Sequence, residues 1–100
     1  MKPSDILKQA EDEFQSAAHQ CRTAMEPHLV KMETDEGKVG MVMISGIAML
    51  VHTGVESQAA LASTIKFAAE MTGIPTDALD AYARFTIAMM NAKGAKNEYK

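Results

Sequence analysis

One cysteine, no tryptophan, five aromatic residues and no charged side chain from Val39 through Val55 are the scarcities that bound this chain. The lone Cys21 excludes an internal disulfide and fits a reducing cytoplasm. So few aromatics beside nine methionines predict a soft, adaptable helical core rather than a stiff β-sandwich. The opening MKPSDILKQAEDEF carries acids where an export signal would carry its apolar stretch, so a cytoplasmic protein is expected. Basic charge is also short, with ten Lys and Arg against thirteen Asp and Glu. A net charge of −3 disfavours direct, sequence-independent nucleic-acid binding, which needs a basic surface to neutralise phosphates.

Catalytic signatures are missing as well. There is no HExxH, CxxC, GxSxG, phosphate-cradling loop or dinucleotide fingerprint. His19 and Cys21 stand two residues apart and so cannot share a helical face, and His28 and His52 have no ligand-spaced partner. Cys21 falls among small residues on an apolar stripe, the place of a buried hydrophobe rather than a nucleophile. The expectation is a protein without enzymatic activity, metal or cofactor.

What is present is helical periodicity. Leu7, Ala10, Phe14, Ala17, Ala18, Cys21, Ala24 and Met25 recur at three- and four-residue spacing, with Ser4 placed as an N-cap and Pro27 as the stop, through its bias on Glu26. Residues 27–39 read as a loop or a short turn of helix, with a hairpin around Glu36-Gly37 as the competing reading, before a helix beginning between Thr34 and Gly40. A third helix buries Leu61, Ile65, Ala68 and Met71 or Thr72. It ends at Gly73, followed by Ile74 as the hydrophobic contact and Pro75 as the block. Thr76 then caps a last helix with Leu79, Tyr82, Phe85 or Thr86, and Met89 or Met90 inward, ended by Gly94. This divides the chain into one helical domain, 1–93, and a mobile tail, 94–100. The fold class is all-α, a small bundle of three to four helices with a central apolar helix.

That central helix is the uncharged run. Seventeen residues span about 26 Å as a helix, short of the roughly 20 apolar residues of a membrane span, and three glycines, His52, Ser45 and Thr53 interrupt it. A bundle of 100 residues cannot cover every side of Met41, Val42, Met43, Ile44, Ile47, Met49, Leu50 and Val51. The leftover apolar stripe is suited to homodimerisation or to a protein partner.

Two resemblances follow. The stretch FAAEMTGIPTDALDAYARF is similar to a repressor-type helix-turn-helix, with Ala69 four residues before the turn glycine Gly73, Ile74 after it, and Leu79 and Tyr82 inward. Its recognition positions, however, hold Pro75, Thr76, Asp77, Asp80 and Ala81, with Arg84 as the nearest base, and carboxylates repel phosphates. The whole chain resembles, in length, acidity, helicity and absence of motif, the small all-helical anti-CRISPR proteins of phages and mobile elements, above all the type I-F class. That resemblance implies a bacterial host cell, binding to a Cas surveillance complex, and a block on target-DNA hybridisation or entry. The contacts expected to serve such a partner are Glu11, Asp12, Glu33, Asp35 and Glu36, which cluster outside the apolar faces and offer carboxylates to Lys or Arg. A DNA-binding regulator and a phage or plasmid assembly protein are the alternatives.

Overall fold

Pro3 sets the start of the first helix. In the computed structural model, which describes residues 2–98, α1 runs Pro3–Met25 and Lys2, in extended conformation, accepts the first amides from Asp5 and Ile6. Ser4 is therefore inside the first turn and makes no capping bond, contrary to the expectation that it caps. The reason is that proline's fixed φ and missing N–H suit the first helical position. The helix stops before Pro27 as expected, but Glu26 keeps helical angles of φ −51° and ψ −45°. The ladder ends because Pro27 has no amide to give the carbonyl of Thr23.

Residues 27–39 hold no strand. A 3₁₀ turn, Glu26–His28, leads into α2, Leu29–Met32, and Thr34 then caps α3, Asp35–His52. The Thr34 hydroxyl works in both directions, donating to the Lys31 carbonyl at 2.6 Å and accepting from the Gly37 amide at 3.0 Å. One side chain thus ties the end of α2 to the start of α3. Thr34→Ala should cost about 1 kcal/mol of unfolding free energy in urea, with Thr34→Ser recovering most of it.

After Gly54, at φ +80°, Ser57 caps α4, Gln58–Thr72. Gly73 closes α4 at φ +75°, donating to the Ala69 carbonyl, and Ile74 is buried beside it. Lys31 reaches across from α2 and donates to the Gly73 carbonyl at 3.0 Å. α5 then runs Thr76–Glu98, its first amides accepted by Pro75, so the cap stands one residue before the expected Thr76. The helix also continues through Gly94, where the sequence reading ended it. Among the described residues only Gly54 and Gly73 have positive φ, and the roughly 1 kcal/mol that a mid-helix glycine costs is offset by the good helix formers around it, Ala92, Lys93, Ala95 and Lys96. Of the segment assigned to a mobile tail, Tyr99 and Lys100 lie outside the described residues.

The four long helices form an all-α bundle. α5 touches each of the other three, α1 lies along it with Phe14 stacked on Phe85 at 5.6 Å, and α3 packs against both α4 and α5. Cys21, Met25, Ile44, Ala48, Leu61, Ile65, Ala68, Ile74, Ala78, Leu79 and Ala83 make the core. Of the inward positions expected for the last two helices, Leu61, Ile65, Ala68, Leu79 and Thr86 are buried, whereas Tyr82, Phe85, Met89 and Met90 are only partly covered. The uncharged run supplies Gly40, Ile44 and Ala48 to that core and leaves Val39, Val42, Met49 and Leu50 exposed.

Candidate interaction surfaces

The five expected contact residues are all exposed, on two separate parts of the surface. Glu11 and Asp12 edge a cleft between α1 and α5, facing Met89, Ala92, Lys93 and Lys96. The lysines give that cleft mixed charge, which weakens its claim on a basic partner. Glu33, Asp35 and Glu36 surround the Thr34 corner, where the N-terminal end of the α3 dipole favours carboxylates at 35 and 36. The cleft at Glu11 and Asp12 includes none of Glu33, Asp35 and Glu36. Among the described residues none of the five is ion-paired, the salt bridge found being Asp80 with Arg84.

A third surface escaped the sequence reading. The C-terminal end of α1, the short α2 and the middle of α5 enclose an apolar groove of about 460 Å³, within the size range of ligand and anchor-residue pockets. Cys21, Met25, Leu29, Met32, Tyr82 and Phe85 line it, with Arg22 and Glu26 at the rim. Leu29 is 53% exposed, and Val30 beside it on α2 is 83% exposed. The groove exists because Pro27 turns the chain, so that α2 leaves α1 rather than prolonging it. Leu29 and Met32 at i, i+3 are the only signal of it, and four residues are too few to show a period.

The polar and ionisable groups along the groove are Cys21, Arg22, Glu26 and Tyr82. The Tyr82 hydroxyl is hydrogen-bonded to that of Ser45. Cys21 is buried, and desolvation pushes its thiol above the ordinary range while the Arg22 charge pulls partly back. A thiol held protonated is a poor nucleophile. His52 Nε2 lies 2.8 Å from the Asn91 side-chain oxygen, at a cleft formed with Ile6, Ala10 and Met90. No three His, Cys, Asp or Glu among the described residues are grouped to hold a metal ion. No described helix is long and apolar enough to cross a membrane.

The α4–Gly73–α5 turn has helix-turn-helix connectivity, but its second helix is the one the other long helices pack around. Ala78 and Leu79 are buried and Thr76 and Asp77 are exposed. Of the bases around the turn, Arg84 is engaged by Asp80, Lys31 is held on the Gly73 carbonyl, and Lys66 of α4 shares a cleft with Thr76, Asp77 and Asp80. A recognition helix needs a free face with donors for phosphates and base edges. This one presents carboxylates. No protein-family model, curated protein or solved structure matches the chain.

Proposed function

We propose that this chain is a non-enzymatic inhibitor that acts by occupying another protein, and that its target is a type I Cas surveillance complex, as the resemblance to small helical anti-CRISPR proteins implies. The observation that carries the binding reading is the apolar groove under Leu29. An open groove of that composition takes an apolar anchor side chain from a partner, and Glu33, Asp35 and Glu36 follow directly in the chain to receive flanking Lys or Arg. A surface that holds target DNA is basic, so acids seated there exclude the nucleic acid by charge as well as by bulk.

Glu11 and Asp12 are assigned to the same partner as a second, weaker contact, because Lys93 and Lys96 face them. The test is capture of Cas subunits from a bacterial lysate expressing a type I complex, with three chains as bait. The unaltered chain should recover the complex. Leu29→Glu, a change at a half-exposed position, should lower recovery at least tenfold while circular dichroism stays helical. Asp12→Lys combined with Glu36→Lys should lower it more at low salt, where charges are least screened, than at high salt. Full recovery by both variants would remove these residues from the interface. Specific, salt-sensitive retardation of the neighbouring promoter DNA, without capture of Cas subunits, would favour the regulator instead.

A further inference from the structure

The geometry points to a second use of the uncharged run: the outer face of the α3–α4 pair is the interface of a symmetric homodimer. This does not depend on the identity of the inhibited target. The argument begins with how the two helices sit. A side chain added at Gly40 would meet Thr72 Cγ2 at 2.9 Å, Met71 Cε at 3.5 Å and Ala68 Cβ at 3.7 Å, so this flank of α3 lies directly against α4. α5 closes the pair from the other side, through Tyr82 at Ser45 and through a cleft shared by Ala62 and Lys66 with Thr76, Asp77 and Asp80.

Helical spacing then defines what is left outward. On α4, Ala60, Thr64, Phe67 and Met71 follow one flank at i, i+4, i+7 and i+11, and Met71 fixes that flank as the one turned to α3. On α3, Val39, Met43, Gly46 and Leu50 follow the matching flank, with Val42 and Met49 just beyond. The result is one surface built from two antiparallel helices. Phe67 is 55% exposed on it and Val42 is 71% exposed, although neither is near the groove under Leu29.

Area and charge both select a second copy as the occupant. Two helices about 10 Å wide, along a run of about 26 Å, give a flat footprint of roughly 500 Å² per copy. Pairing two copies would bury about 1,000 Å², the minimum that a biological interface should clear and the small end of the range for a specific dimer. A two-fold contact places each residue near the axis opposite itself, so a charge there would repel its own copy. From Val39 to Val55 there is none, and the α4 flank is uncharged too, with Glu70 only at its rim. A basic partner would find carboxylates only at the ends and rim of this face, at Asp35, Glu36, Glu56 and Glu70. Anionic lipid would meet Asp35, Glu36 and Glu56 at its ends, against one base, Lys38. Gly46 lies midway along it with nothing within 4 Å of an added Cβ, an opening into which a neighbouring backbone fits.

Sedimentation equilibrium of the full chain, from about 10 to about 500 µM, tests this. The mass should rise from 10.8 kDa to twice that value. Gly46→Glu and Phe67→Glu add a charge at open positions, so both should remain helical by circular dichroism and stay at 10.8 kDa throughout. A wild-type chain that remains monomeric across the range overturns the proposal and leaves the face to a different occupant. Dimerisation of either folded variant as strong as that of wild type also overturns it.

Discussion

Gly37→Ala should be among the most damaging single changes in this protein, lowering unfolding free energy by roughly 3 kcal/mol, the upper end for overpacking. The new Cβ would stand 2.0 Å from the Lys31 carbonyl oxygen and 2.9 Å from two backbone atoms of Met32. Backbone cannot rotate away as a flexible side chain can. Relief requires α2 to lift from the first turn of α3, and that movement breaks the Thr34 bonds to Lys31 and to Gly37 itself. It also loosens the link from Lys31 to Gly73, so the damage should reach the α4–α5 turn. Gly94→Ala is the internal comparison, because an added Cβ there meets nothing within 4 Å and the position is helical. It should stabilise by up to about 1 kcal/mol. Urea unfolding of both variants should therefore show shifts of opposite sign. Equal shifts would mean that α2 yields freely, and the groove it walls would be no preformed site.

The contrast between these glycines shows what the sequence could and could not reveal. Gly73 was legible as a helix end because Ile74 and Pro75 follow it, and three residues together specify a left-handed close. Gly94 has no such company and so had no reason to end a helix. Gly37 sits in a charged stretch, TDEGK, where a glycine ordinarily signals a turn. Its real constraint is the approach of α2, a contact between segments that no local pattern encodes. The buried face of α4 was legible from spacing alone, since Leu61, Ile65 and Ala68 repeat at helical intervals and all are buried, while on α5 spacing placed Leu79 but not the small buried residues Ala78 and Ala83.

The candidate surfaces were less legible for the same reason. Acids could be counted, but Lys93 stands opposite Glu11 and Asp12 because α5 lies alongside α1, and Lys96 joins it only because α5 continues past Gly94. The groove is a product of three elements meeting, and two of its lining residues, Tyr82 and Phe85, had been assigned to the core. A sequence states that Val39–Val55 is uncharged. It does not state which of those residues the rest of the bundle covers, and here Ile44 and Ala48 are covered while Val39, Val42, Met49 and Leu50 are not.

Leu79→Ala should cost about 3–4 kcal/mol, the other large effect, and for a different physical reason. Leu79 is fully buried in the first turns of α5, next to buried Ile74 and Ala78, where the chain has just turned at Gly73 and Pro75. Removing its isopropyl group leaves a void that the surroundings can collapse into only partly, because the Gly73 turn is held by Lys31 and by the bond from the Ile74 amide to the Thr72 hydroxyl. The expected loss is a large share of the total, since a 100-residue domain has only about 5–15 kcal/mol of stability. Thermal unfolding should shift down by roughly 12–32 °C at 4–8 °C for each kcal/mol. Val30→Ala provides the scale, because Val30 is 83% exposed and its removal should change stability by less than about 0.5 kcal/mol. A loss at Leu79 as small as that at Val30 would mean that α5 is not the helix the bundle is built around. The Gly73 turn would then have a free second helix, and the argument against nucleic-acid reading by that helix would lose its structural half, leaving only the charge of Asp77 and Asp80.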